Sequence, residues 1–486
     1  MSSSRETAAR TSDASAAFDS AEAHLDDLVE FVVASPSSHH AADVVARRLV
    51  DAGATLVDET GPWPTAPGAY VLVRGGAAVA WVMPEVAAAD PADAADPADA
   101  ADPAETTVDT DAHATAPADL AFRIVGSHTD SPGFRVKPNP ETGAAGYAQV
   151  AVEVYGGPLI AAWTDREIEF AGRVVTRDGA SHLARTGPIA RIPQLAIHLN
   201  RGVNDQGLTL DKQAHTTPVV GLGGGLDDFR RTIAAAAGVE PGELVAWDLI
   251  TCDTQRPRPF GMNGEFLASG RLDNLLSVHA SLVAFEKLLD DVASSASSPA
   301  SRGSEIPVMV AFDHEEVGSA STTGAAGPLL EDVLRRIAVA AGADEDGAQR
   351  MFRRSTCISA DGAHAVHPNY VGDHEPGHWP VLDGGPVLKI NANQRYATDA
   401  VGQAMFERVT AAAADEAGED IPVQYFVSSN RKPCGSTIGP ITATRLGIDT
   451  VDVGASMLSM HSPREMCGVR DPWWLARILR SYWAGA

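Results

Sequence analysis

His128, Asp273, Glu315, Glu316, Asp361 and His461 are the residues around which the chemistry of this chain can be organised. Imidazoles and carboxylates in this proportion suit a site for two divalent ions, with one carboxylate shared between them. A further carboxylate beside a ligand can act as a base on water. The residues are spread over more than three hundred positions, so only a fold that returns the chain repeatedly to one place can assemble them. Taken singly, each has a plainer reading. A lone histidine is usually a hydrogen-bonded core or cap residue, and an adjacent glutamate pair is usually an exposed acidic turn. The joint pattern is what points to a two-metal hydrolase.

Five of the six follow strand-like apolar runs. His128 follows FRIVGS, Glu315 and Glu316 follow VMVAFDH, Asp361 follows CISA and His461 follows GASMLSM. In α/β sheets ligands bind beyond the carboxyl ends of the strands, so residues at those ends converge in space. Asp273 opens the amphipathic helix beginning GRLDN, where the positive end of the helix dipole favours a carboxylate and suits it to bridging. In HTDSP, Asp130 stands two residues beyond His128 and can orient its imidazole. In DHEEVGS one glutamate can bind metal while its neighbour takes a proton, because like charges this close raise one pKa. SADGAHAVHPNY also holds His364 and His367. Position after a strand favours Asp361, while spacing leaves the two histidines open as ligands.

The rest of the composition narrows the possibilities. At 486 residues the chain exceeds what one hydrophobic core usually serves, and two domains are expected. Its 37 Lys plus Arg against 64 Asp plus Glu give a net charge of −27, which repels nucleic acid and anionic lipid and argues against both as partners. No apolar run is long enough for a membrane span, and the first thirty residues lack the basic start and apolar centre of a signal peptide, so a cytoplasmic location is expected. Cys252, Cys357, Cys434 and Cys467 lie far apart without CxxC pairing, as expected of reduced thiols. Only five lysines occur, and two of them, Lys137 in FRVKPNP and Lys389 in GPVLKIN, fall in motif-bearing segments where a compact ammonium has a use. GLGGG from Gly221 matches no nucleotide-binding fingerprint and reads as a mobile loop, and Ser436 in PCGSTIGP lacks a nucleophile elbow.

The elements that must position the site read as follows. Helical spacing over residues 17–53 predicts two opening helices, and AYVLVRG followed by AVAWVM predicts a hairpin. From Ala87 to about Asp119 an Ala-Asp-Pro repeat offers no apolar core and breaks helix and ladder alike, and it reads as a disordered surface insertion. Residues 136–263 are β-rich, with runs YAQVAVEVYGG, REIEFAGRVVT, PIARIPQLAIHL and ELVAWDL. Helices at 272–290, 328–341, 400–416 and after Pro472 then alternate with strands at 307–312, 356–360, 386–390, 423–428 and 449–453. That alternation predicts an α/β class, a mixed sheet flanked by helices and interrupted by a β-rich unit.

HTDSPGFRVKP, GRLDNLLSVHA, DHEEVGS, SADGAHAVHPNY, VLKINANQRYAT, PCGSTIGPI and MHSPREM, in this order, resemble the aspartyl aminopeptidase family of dinuclear zinc exopeptidases over nearly the whole chain. The resemblance implies a metallopeptidase sheet in residues 1–135 and 265–486, interrupted by a β-rich dimerisation domain over 136–264. It also implies two zinc ions per subunit, for which Co²⁺ or Mn²⁺ could substitute. His128 and Asp361 would hold one ion, Glu316 and His461 the other, with Asp273 between them. Glu315 would be the base acting on a bridging water, and Asp130 the partner of His128. The implied reaction is release of N-terminal Asp or Glu from peptides. His198, in RIPQLAIHLNR, would reach a neighbouring subunit's site within a tetrahedral homododecamer, and Lys389, with Arg395 and Tyr396 close by in sequence, would supply the cationic locus for the acidic residue.

Another dinuclear hydrolase on the same scaffold, a deacylase or a carboxypeptidase, shares these ligands, because the leaving group is not written in them. From a different class, a catalytically silent assembly protein would retain the fold without the base Glu315. Deletion of residues 87–119 is expected to leave peptide turnover within about twofold of the intact chain, measured on protein of matched thermal stability. A folded deletion variant without turnover would refute the insertion reading.

Overall fold

The computed structural model describes residues 16–85, 119–223, 228–294 and 304–486. The Ala-Asp-Pro segment lies outside the described residues. The architecture is mixed α/β, built on a nine-stranded sheet. Its strands run in the order Thr55–Leu56, Gly68–Arg74, Ala77–Met83, Glu305–Phe312, Ala121–His128, Thr356–Ala360, Asp449–Gly454, Val387–Ile390 and Gln424–Val427. The four central strands are mutually parallel, while the Gly68–Arg74 and Ala77–Met83 pair is the antiparallel hairpin expected from sequence. Parallel strands covered on both faces read as continuous apolar runs, and Glu305–Phe312 is buried from its second residue to its last.

Helices form a layer on each face. Ala21–Ala34, Ser38–Asp51, Leu272–Ser294, Ala400–Ala417 and Asp471–Trp483 pack a core with Phe285, Phe406 and Leu475 on one side. On the other, Leu329–Ala340, Glu345–Arg354 and Ile438–Leu446 pack with Phe122, Trp81 and Phe312. Two of these helices were not legible in the sequence. Glu345–Arg354 is short and mostly polar, yet its apolar stripe of Ala348, Met351 and Phe352 is buried, and Asp344 caps it through Gly347 N–H. Ile438–Leu446 carries a Gly-Pro pair that reads as a breaker. It starts because the Thr437 side chain takes the Gly439 N–H, and its proline falls in the first turn, where no donor is needed.

A seven-stranded second sheet follows Ala121–His128 in the chain. It closes on itself because the long strand Leu244–Asp253 pairs with both Gly133–Ala144 and Glu167–Thr176, around a core of Phe134, Trp163, Phe170 and Phe229. The run PIARIPQLAIHL does not form the strand expected of it. Ala190–Arg191 pairs as a two-residue strand and Ile192 adds a single bridge to Thr164, but Pro193 contributes no N–H to a ladder, and Leu195–Leu199 bends into an exposed turn. GLGGG, expected as a loop, contributes Gly221 and Leu222 to the strand Val219–Leu222.

A third sheet, of five short strands, joins segments from across the chain in the order Arg258–Phe260, Phe266–Ser269, Glu465–Gly468, Ser456–Leu458 and Ala363–His364. Ser269 pairs directly with Glu465, and Ala363 with Ser456. No helix among the described residues is long and apolar enough to cross a membrane.

Phe285, fully buried on the helix that leads away from Asp273, meets Trp483 edge to face at 5.0 Å between ring centres. Phe285→Ala is expected to cost about 3–5 kcal/mol and to lower the midpoint of thermal unfolding measurably. An unchanged midpoint would mean that this interface does not support the fold.

Candidate metal centre

The small sheet lies beyond the ends of the central parallel strands, and together they deliver all six residues. His128 is the last residue of its strand, Asp361 follows Ala360, and Glu315 and Glu316 form a short 3-10 turn beyond Phe312. Asp273 is reached shortly after Ser269, and His461 stands between Ser456–Leu458 and Glu465–Gly468. Asp273 is not in regular helix. Its φ of −80° and ψ of 103°, and the φ of −123° at Asn274, place both before the regular turns begin. Their neighbours hold them there: Glu465 Oε2 accepts the Asp273 N–H at 3.1 Å, and Asn274 Nδ2 donates to the Ala360 carbonyl at 2.9 Å.

The ligating atoms gather, within 4.8 Å of one another, as His128 with Asp273 and Asp361, as Asp273 with Glu316 and His461, and as His128 with Glu315 and Glu316. Asp273 is common to the first two groups and turns one oxygen toward each. Its Oδ1 lies 3.3 Å from His128 Nε2, and its Oδ2 lies 3.5 Å from His461 Nε2. Asp361 Oδ1 is 3.5 Å from His128 Nε2, and Glu316 Oε2 is 3.4 Å from His461 Nε2. His364 and His367 join none of these groups. The His364 ring packs near Phe426, and the His367 N–H is taken by His374 Nε2.

Both imidazoles present Nε2 inward because Nδ1 is engaged. His128 Nδ1 is 3.0 Å from the main-chain oxygen of Asp130, and His461 Nδ1 is 3.0 Å from that of Gly157. A carbonyl can only accept, so Nδ1 carries the proton and Nε2 offers its lone pair to a cation. The Asp130 carboxylate, 3.3 Å from the His128 ring, has another task. Its two oxygens accept the N–H groups of Glu315 at 3.0 Å and Glu316 at 3.1 Å, and Tyr155 Oη donates to it at 2.8 Å. Glu465 does the same for the other half of the site, accepting the N–H of Asp273 and, at 2.7 Å, that of His461. His461 itself has a φ of 68°, a left-handed conformation that costs a non-glycine residue about 1–2 kcal/mol and persists here under these bonds.

The electrostatics describe a crowded wall of buried carboxylates. Burial, reinforced by Asp361 and Asp273, pushes Glu315 up to about 8, and burial with the Asp273 charge drives Glu316 well above the ordinary range. Burial opposes charge on His128, yet the carboxylates of Asp130, Asp273 and Asp361 beside the ring outweigh it and hold its pKa well above normal. Asp273 Oδ1 and Glu316 Oε1 are buried polar atoms without a hydrogen-bond partner. Buried carboxylate oxygens left unpaired cost several kcal/mol unless they coordinate a metal, so the donors present fit divalent ions.

The description "Aminopeptidase I zinc metalloprotease (M18)" matches residues 111–483. The chain belongs to the M18 family of zinc aminopeptidases. It is 47% identical over 462 residues to a probable M18 family aminopeptidase 2 of Streptomyces coelicolor, covering 94% of this chain and 97% of that protein. The solved Ape4 and Nbr1 complex superposes with a TM-score of 0.83 at 32% identity, over 96% of this chain and 86% of that one. The S. cerevisiae mApe1 dodecamer does so with a TM-score of 0.76 at 26% identity, over 95% and 97%.

Other residues of this M18 chain singled out by sequence lie as follows. Lys389 is 1% exposed, and its Nζ donates to the main-chain oxygens of Asp361 at 3.0 Å and Gly362 at 3.1 Å and stands 3.8 Å from Asp361 Oδ2. Tyr396 is buried, with its ring 5.1 Å from that ammonium. Arg395 and His198 are exposed, the latter in the turn of the closed sheet. Sequence reasoning passed over Glu465 and Tyr155. MHSPREM did place a carboxylate four residues beyond His461, but an acid in a four-residue strand reads as surface until its burial is known. Glu465→Gln keeps the shape and replaces one accepting oxygen with a donor. It is expected to weaken zinc binding about 10- to 100-fold in a chelator competition. Affinity equal to wild type would show that Glu465 does not hold the site.

Proposed function

We propose that this M18 zinc aminopeptidase holds two zinc ions and releases N-terminal Asp and Glu from peptides, with Glu315 as the base. The single observation that carries the two-ion reading is Asp273, whose two oxygens face two separate His-carboxylate groups. His128 and Asp361 would hold one ion and Glu316 and His461 the other. When bound, such ions polarise a carbonyl and lower the pKa of water.

The protein's own residues supply the rest. Glu315 belongs to a ligating cluster with His128 but is only half-buried, so unlike Asp273 it remains open to a substrate. As a carboxylate it can take a proton from water and return it to the leaving amine. Asp130 fixes Glu315 and Glu316 by their backbone, which keeps base and ligand in register.

Lys389 is the group we assign to acidic side chains. Two of its three donors are spent on the carbonyls of Asp361 and Gly362 and the third faces the Asp361 carboxylate, so what supports the assignment is a cation buried beside the candidate metal ligands. Tyr396 backs this ammonium with its ring face. His198 we assign to a neighbouring subunit's site in a homododecamer. This is supported by its place between the exposed Leu195, Ile197 and Leu199, an apolar turn that water covers poorly.

Matched peptides beginning with Asp, Glu, Leu and Lys test the proposal, with chelator and with zinc restored. Release that is chelator-sensitive and acid-selective is expected. Lys389→Met is expected to reduce kcat/KM for Asp-initiated peptide at least tenfold more than for Leu-initiated peptide. Equal losses on both would remove the assignment of Lys389.

A further inference from the structure

The closed β-sheet reaches into the metal centre through one short segment. Tyr155, Gly156, Gly157, Pro158 and Leu159 leave the strand Tyr147–Tyr155 and pass the site. Tyr155 Oη bonds Asp130, the carboxylate that clamps Glu315 and Glu316. Gly157 O accepts from His461 Nδ1, and Leu159 N–H donates to His461 O, both at 3.0 Å. His461 is therefore gripped by ring and backbone from the same segment.

The glycines show how close the approach is. Gly156 has a φ of 67°, and a Cβ there would stand 3.1 Å from Glu316 Cβ and 3.3 Å from Glu316 O. A Cβ on Gly157 would stand 3.5 Å from His461 Nδ1. At Gly156 the left-handed backbone and the tight approach to Glu316 both favour a residue without a side chain, whereas a Cβ at Gly157 would make ordinary contact with the His461 ring. Glu316 and His461 are also the two residues that, with Asp273, make up one of the two ion groups. The other group differs: His128 and Asp361 sit at the ends of central sheet strands, His128 takes its bond from Asp130 and Asp361 has its N–H on Val453 O.

We infer that the segment Gly156–Leu159, which touches Glu316 and His461, is a positioning element for that half of the metal centre, so that this stretch of the β-rich unit sets the affinity of one ion more than the other. The physical cause is the His461 ring. The Gly157 carbonyl holds the proton on Nδ1 and the ring at one angle, which aims the Nε2 lone pair at the space shared with Glu316 and Asp273. Without that acceptor the ring can rotate or exchange its proton between nitrogens, and a misaimed ligand loses affinity. The inference rests on the two-ion reading above.

Two variants test it on the full-length protein, stripped of metal and titrated with zinc against a chromogenic chelator. Leu159→Pro deletes the one N–H given to His461 O, at a residue whose φ of −70° suits proline. Gly156→Val pushes the segment off Glu316. In each, the first zinc is expected to bind as in wild type and the second about 10- to 100-fold more weakly, with assembly size by light scattering unchanged. Two ions bound with wild-type affinities in both variants would overturn the inference. Loss of both ions together in folded protein would also overturn it, because the effect would not be confined to one half. If Gly156→Val does not fold, Leu159→Pro decides alone. Wild type that holds a single zinc would instead overturn the two-ion reading itself, and with it this inference.

Discussion

Crowded negative charge is the constraint on which the structure depends. Asp130, Asp273, Asp361 and Glu465 are each at most 6% exposed, and Glu315 and Glu316 stand among them. Two carboxylates about 4 Å apart repel by about 4 kcal/mol even at an effective dielectric of 20. Such a cluster persists only where N–H donors and cations answer it. Asp130 and Glu465 are answered by backbone N–H groups, two each, and so become clamps. Asp273 and Glu316 retain unpaired oxygens, the kind of buried donor that a cation would answer.

From this follows the division of labour among the three sheets. The nine-stranded sheet supplies rigid strand ends, and a hydrophobic layer on each face fixes them. The five-stranded sheet, too small for a core of its own, brings Ser269 against Glu465 and Ala363 against Ser456, and so carries Asp273, Asp361 and His461 to one point. The closed sheet adds the segment that holds His461 by its unprotonated partner, a main-chain carbonyl, which no substitution of that residue's side chain can remove. His128 and His461 are thus held through their rings, and Asp273, Glu315, Glu316 and His461 through their backbone N–H groups.

Much of this was legible in the residues. Five of the six site residues stood at the ends of apolar runs, and a buried parallel sheet must present such ends together. The main helices carried apolar stripes, and the hairpin carried its Gly-Gly turn. What escaped had a physical reason in each case. Glu345–Arg354 hid its stripe in a polar segment, and Ile438–Leu446 depends on a Thr cap that outweighs an apparent breaker. RIPQLAIHL had strand composition, but Pro193 denied it a ladder. Glu465 looked like a surface acid because a four-residue strand carries too little pattern to show its buried face.

The sequence by itself determined the chemistry available, the donor types, their order and the sheet ends on which they stand, because these depend on residue identity and local periodicity. The tertiary structure alone decided which atoms meet. It gathered Asp361, and not His364 or His367, with His128 and Asp273, turned the two oxygens of Asp273 toward different groups, buried Lys389 against the Asp361 backbone, and gave Asp130 and Glu465 their N–H partners. Those outcomes rest on hydrogen bonds between segments up to three hundred residues apart. Local sequence does not encode such distances, and only the packed fold enforces them.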